Sequence, residues 1–311
     1  MLDSSNCTTA PPQAASDAGV AGAGVLLSFI VTAGLALLLS AWIITLEIRR
    51  SSASTIARKL LNSFSDQQIL TGILIQSVGL AKMDTMVPYH FFIIWMLSSI
   101  STATHSAALL ALLNDFKRDW VLRWLRQALM LVNLVLSCVS GIFILQQVTK
   151  KVAPTLPIAC VWHEPATEPR DDVPISIVGT VAVMVGQILV FAMAVFYLHT
   201  GTVKWLQSAR AASFVILTAI AVGAAVRCFQ VSQAFGSPEV PLSDAGEKDW
   251  SFGQLLPLFL LLLPLINSIE IFRGEVKVPS PMEDDQKPLF ETEDGFDRNP
   301  FWNSQIPLKS R

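Results

Sequence analysis

Any chemistry in this chain has to come from the few ionisable side chains in or beside its apolar stretches, because each is costly there unless paired or hydrated. Within the apolar run 89–113, His105 lies sixteen residues beyond Tyr89, about 24 Å along a helix at 1.5 Å per residue. His105 therefore belongs to the far half of the run and His90 to its near mouth. Arg227 falls six residues from the outer end of the run 211–233, and Glu270 lies near the inner end of the run 251–272. The pattern allows two groupings, an outer one of Asp84, Tyr89, His90 and Arg227 and an inner one of His105, Asn267 and Glu270. A carboxyl or imidazolium among Asp84, His90, His105 and Glu270 is suited to delivering a proton inside an apolar cavity. Tyr89, Arg227 and Asn267 are then the binding groups. His105 is the first candidate, since an imidazole exchanges a proton near neutral pH. It also follows Ser98, Ser99, Ser101, Thr102 and Thr104, a polar stretch suited to the inside of a bundle. A structural use stands beside the chemical one: His90, Arg227 and Glu270 at interfaces, and His105 hydrogen-bonded to Ser, Thr or a backbone carbonyl between helices.

Several chemistries lack the residues they need. The run 251–272 has no lysine for a retinal Schiff base. Four histidines are too few for the histidine boxes of membrane desaturases, and no His-Glu-x-x-His or Cys-x-x-Cys metal motif occurs. A phosphate-cradling Gly-x-x-x-x-Gly-Lys-Ser/Thr loop and a Gly-x-Ser-x-Gly elbow are likewise missing. Asn114-Asp115-Phe116-Lys117 and Leu265-Ile266-Asn267-Ser268-Ile269 stand where rhodopsin-like receptors carry their switch motifs. No aspartate-rich magnesium motif lies at a helix end, and an odd number of spans gives no clean inverted repeat. Neither a cofactor nor a metal is expected.

The elements that must position these residues are membrane helices. Hydrophobic residues make up 52% of the chain and charged ones 15%, well below the roughly one quarter typical of soluble domains. The apolar blocks are long enough to cross a hydrocarbon core of about 30 Å. They lie at about 20–46, 67–83, 89–113, 127–147, 174–198, 211–233 and 251–272, which predicts an all-α bundle of about seven transmembrane helices. The second block is the weakest, because Thr71, Gly72, Gln76, Ser77 and Gly79 interrupt it, and a re-entrant or interfacial segment is the alternative. With the N-terminus outside, sixteen of the 22 lysines and arginines fall inside and five outside, leaving Arg227 within a span. That bias satisfies the positive-inside rule and places the C-terminus in the cytoplasm. Small residues, Ala18 to Gly24 and Ala219 to Ala225, suit close helix packing, and Pro257 and Pro264 are expected to bend the last helix.

Residues 1–19 form the expected extracytoplasmic tail, with no basic n-region ahead of the first span and therefore no cleaved signal. Cys7 and Cys160 fall on the outside, where an oxidising compartment permits a disulfide between them. Asn6-Cys7-Thr8 is a glycosylation sequon on the same side. Residues 273–311 combine prolines with acidic clusters and read as a disordered cytoplasmic tail, a docking site for a cytoplasmic partner. The inside loop 115–126 spaces Phe116, Trp120 and Trp124 by four residues among Lys117, Arg118, Arg123 and Arg126, a pattern that favours the headgroup layer and anionic lipid. No nucleic-acid partner is expected.

The run Ser65-Asp66-Gln67-Gln68-Ile69-Leu70-Thr71-Gly72, with Pro88-Tyr89-His90-Phe91-Phe92 and Ser101-Thr102-Ala103-Thr104-His105, resembles a functionally uncharacterised family of multi-pass membrane proteins of filamentous ascomycete fungi. The resemblance covers roughly residues 20–275. It implies a fungal multi-span protein of the plasma membrane or an endomembrane, associated with secondary metabolism, and it assigns no catalytic residue. Three functions fit: a non-enzymatic sensor or scaffold, a small membrane enzyme of the proton-initiated terpene cyclase type, and a facilitator of a small apolar compound.

Overall fold

A backbone in hydrocarbon must satisfy its own hydrogen bonds, and apolar runs of this length do so as helices. The computed structural model describes residues 7–49, 54–116, 120–150, 152–163, 173–200 and 204–273. These form α1 (Ala18–Ala21), α2 (Ala23–Ile48), α3 (Thr55–Ala81), α4 (Pro88–Ala111), α5 (Leu113–Phe116), α6 (Trp120–Lys150), α7 (Val173–Thr200), α8 (Lys204–Val231), α9 (Phe252–Leu260) and α10 (Leu262–Phe272), with a 3₁₀ turn at Ile158–Trp162. Five helices among the described residues are long and apolar enough to cross a membrane.

α4 is the axis of the bundle, packed by α1, α2, α3, α6, α7 and α8. Its apolar window is wholly buried, although at a mean hydropathy of 1.3 it is the least apolar of the five spans, the others lying between 2.0 and 2.5. The inversion has a physical reason. Lipid selects the outer helices for uniform apolarity, whereas a helix surrounded by protein can carry hydroxyls, amides and imidazole that find partners across interfaces. Pro88 at its first turn supplies a φ already set for a helix start.

The weak second block is part of one continuous helix, α3, which starts well before residue 67. Ser54 caps it by accepting from the Ala57 amide at 3.2 Å, and Arg58 in its first turns pairs with Asp115 at 3.5 Å. Gly72 lets three helices converge here: a Cβ at that position would collide with Ser101 Oγ and crowd Asn133 Oδ1 at 2.7 Å. The last apolar run is divided between Leu260 and Leu262, where Leu261 N bonds back three residues to Leu258 O at 3.1 Å. Pro264 accounts for the break, since it has no N–H to offer the carbonyl four residues earlier and its ring crowds that carbonyl.

Four segments close one end of the bundle as a cap. Ala14 pairs with the loop after α8, donating to Pro241 O at 2.9 Å and accepting from Ser243 N at 2.8 Å. The start of the 3₁₀ turn docks on the turn before α4, through Ile158 N to Met86 O at 2.8 Å and Ala159 N to Met83 O at 3.2 Å. Cys7 and Cys160 are joined by a disulfide in this cap. At the opposite end, Arg126 meets Asp66 at 2.7 Å and Arg210 meets Glu47 at 2.7 Å.

Candidate functional site

Tyr89 and His90 occupy the first turn of α4, immediately under the cap, and both point at one carboxylate. Tyr89 Oη donates to Glu247 Oε2 at 2.7 Å, and His90 Nε2 lies 2.7 Å from Glu247 Oε1. Glu247 is 0% exposed and His90 3%. The Tyr89 oxygen also accepts from the Gln233 amide at 2.8 Å, which fixes the direction of the phenolic proton toward Glu247. At 2.7 Å one proton lies between the imidazole and the carboxylate, and the phenolic proton of Tyr89 lies on the other oxygen of the same carboxylate.

Around this core, Glu247 O accepts from the Ala23 amide at 3.3 Å and Glu247 N approaches Gln233 Oε1 at 3.4 Å. Asp17 brings its amide to 3.3 Å from His90 Nε2 and its carboxylate to 3.0 Å from Lys82 Nζ. Asp244 takes hydrogen bonds from Ser16 and from the Gly246 amide, and these hold its carboxyl below the ordinary carboxylate range. The N-terminal segment, the turn before α4 and the loop after α8 thus meet at one buried acid.

No family model, curated protein or solved structure matches the chain. The site therefore stands on its own geometry.

That geometry rearranges the groupings the sequence allows. The carboxylate on His90 is Glu247, whereas Asp84 sits half-buried in the turn before α4. Arg227 is exposed on α8 and does not join the cluster. His105 is wholly buried and bonds to Asn133 of α6 at 3.1 Å. Its expected partners Asn267 and Glu270 belong to α10, and their side chains lie outside the described residues, as do Asn6, Lys117 and Arg118. Of the basic residues assigned to lipid, Arg126 is engaged by Asp66 and lies over the Phe116 ring at 5.4 Å.

Asn133 is the hub of a second polar site in the middle of the bundle. Gln76 Nε2 donates to Gly72 O at 2.9 Å, and because that acceptor is a backbone carbonyl, the orientation of the Gln76 amide is set. The same Nε2 donates to Asn133 Oδ1 at 2.8 Å, which turns Asn133 Nδ2 toward Thr102 Oγ1 at 3.0 Å and His105 Nε2 at 3.1 Å. Nε2 of His105 must accept, so the neutral imidazole carries its proton on Nδ1.

Sequence reading missed Glu247 because it looks like any solvated loop acid. An outer-mouth imidazole calls for a carboxylate on the same side, but Asp17, Asp84, Glu239, Asp244 and Asp249 fit that description equally well. Asn133 had a usable signal: an amide in the middle of an apolar span needs a partner for the same reason an ionisable group does.

Proposed function

We propose that this chain is a seven-span, non-enzymatic sensor of a fungal membrane, with its N-terminus outside, its C-terminus in the cytoplasm and its sensing face in the cap. The observation that carries the reading is the convergence on Glu247, which ties the outer loop and the N-terminal segment to the first turn of the helix that every other long span touches. A sensor needs such a connection, because a change at the surface must bias an element that reaches the far side.

Further features support the spans and their orientation. α3 has 27 residues, about 40 Å at 1.5 Å per residue, and packs along α2, α4 and α6. α9 and α10 together supply the seventh crossing. The disulfide belongs to the capped end, in keeping with an oxidising exterior, and Arg58, Arg126 and Arg210 belong to the other.

Proximity labelling of cytoplasmic proteins in a host expressing the full chain tests the proposal. The labelled set should change when residues 273–311 are deleted and when Glu247 is replaced by Gln. A set unchanged by both would overturn it. The shared proton of His90 and Glu247 favours a second reading, a membrane enzyme that starts its reaction by protonation. Products that appear with wild type, and vanish with His90→Ala at equal expression, would establish that reading instead.

A further inference from the structure

Many hydroxyl side chains in these spans are satisfied close to home: Ser28 bonds to Val25 O at 2.8 Å, Thr32 to Ser28 O at 2.6 Å, Ser77 to Ile73 O at 2.8 Å and Thr104 to Ile100 O at 2.8 Å. Each is satisfied by a carbonyl of its own helix. Among the described residues, Ser40 on α2, Ser65 on α3, Ser106 on α4 and Ser232 just past α8 lack such a partner at scattered positions, whereas between α4 and α6 several unpartnered groups gather. Ser98 and Ser99 of α4 and Ser137 and Ser140 of α6 are at most 1% exposed, yet their hydroxyls have no hydrogen-bond partner among the described residues. The same holds for Trp95 Nε1 and His105 Nδ1.

These six atoms are on facing stripes. The two helices run antiparallel, and their register is set by contacts at both ends: Asn133 on Thr102 and His105 at the inner end, Phe143 on Phe91 at the outer, with ring centroids 5.4 Å apart. Between them, a Cβ at Gly141 would crowd the Met184 sulfur of α7 at 2.6 Å and lie 3.1 Å from Trp95 Nε1, so the indole N–H faces α6 there, beside Met184. Ser137 sits midway between Asn133 and Gly141, one helical turn from each, and Ser140 adjoins Gly141. On α4, Trp95, Ser98, Thr102 and His105 follow one another at three- and four-residue steps, which share a face. The unpartnered groups therefore form one seam, about 15 Å long from Trp95 to His105 at 1.5 Å per residue.

We infer that the α4–α6 seam is an internal binding site for a file of water molecules, running from the Trp95 indole to the His105 imidazole. The lining dictates the ligand. Trp95 Nε1 and His105 Nδ1 can only donate, so their partner must accept; the four serine hydroxyls do both, so their partners must as well. No charged side chain is among the six, which removes any need for an ion. Water satisfies every position and takes two to four such partners at buried sites. The file goes beyond the sensor proposal and does not depend on it. It gives α4 exchangeable hydrogen bonds along one side, so that the helix can shift against α6 without leaving polar atoms bare.

X-ray hydroxyl-radical footprinting of the full-length protein in lipid nanodiscs tests the site, because radicals generated from bound water label the side chain they touch. Trp95, 2% exposed, should be labelled several-fold faster than Phe64, 1% exposed and set among apolar neighbours, once each is corrected for intrinsic reactivity. The labelling should persist with a radical scavenger in the bulk solvent. Ser137→Val should reduce it, while Thr104→Val, whose hydroxyl is already bonded, should not. Labelling of Trp95 at the Phe64 rate, or labelling abolished by the scavenger, overturns the inference, and the wild-type protein alone decides this. A tightly bound organic molecule found by native mass spectrometry together with a protected Trp95 also overturns it.

Discussion

Replacing Glu247 by Ala separates the roles of shape and hydrogen bonding in the cap. The substitution removes the acceptor from two wholly or nearly buried donors, the phenol of Tyr89 and the imidazole of His90. Each stranded group costs about 1–3 kcal/mol, and breaking a buried pair from one side costs about 3–5 kcal/mol, so the loss should be about 3–5 kcal/mol. Glu247→Gln is the contrasting perturbation. Its amide oxygen can still accept from Tyr89, and its NH₂ can donate to His90 Nε2 once the imidazole proton moves to Nδ1, which limits the loss to about 1 kcal/mol. The assay follows from the free cysteines: Cys228 is buried and Cys138 partly so, so a thiol-reactive fluorophore reports unfolding in detergent at a fixed heating rate. The expected order of midpoints is wild type, then Glu247→Gln slightly lower, then Glu247→Ala far lower. A Glu247→Ala midpoint equal to wild type, or equal to that of Glu247→Gln, would refute the reasoning.

Three further outcomes are expected. The Cys7–Cys160 bridge joins residues 153 apart; closing so long a loop stabilises by about 2–5 kcal/mol, and a gel-mobility shift on reduction should be lost in Cys7→Ser and kept in Cys138→Ser. Asn133→Leu strands donors or acceptors on Gln76, Thr102 and His105 at once, and a loss of about 1–3 kcal/mol in the same thermal assay should not add to that of His105→Leu, because the two share one network. The Asp244 carboxyl is held below its ordinary range by Ser16 and Gly246, so its contribution is full above the unfolded pKa and disappears as pH falls through the lower, folded one. Asp244→Asn should therefore lower the midpoint slightly at neutral pH and flatten the acid side of the midpoint-against-pH curve, the mutant and wild-type curves meeting as pH falls through the folded pKa.

The sequence is informative about this fold wherever a feature depends on neighbours along the chain. The polar stripe Ser98 to His105 pointed to a helix facing protein, and α4 is that helix. Pro257 and Pro264 forecast a disturbed last helix, and the break lies between them. Apolar windows placed the start of α3 too late, because Arg58 and Asp66 lower the average while pairing with Asp115 and Arg126 across the bundle. The site was half legible. Tyr89 and His90 announced themselves at the mouth of a span, but their acid lies 157 residues beyond His90 in a loop with several equivalent acids, and no local pattern distinguishes it. His105 was assigned to the far half of its helix, yet its partner proved to be an amide on α6, a residue type that hydropathy treats as mere interruption.

The complete enclosure of α4 also bears on how the protein is made. A helix entering the membrane one at a time is judged by lipid, and α4 is the candidate span least suited to that judgement. Its serines, threonines and two histidines become favourable only when α3, α6 and α8 stand around it, and two of those three follow it in the chain. The centre of the bundle is thus a tenant that arrives before its walls, and holding it at membrane depth until α8 is synthesised falls to the two helices already there or to a chaperone of insertion.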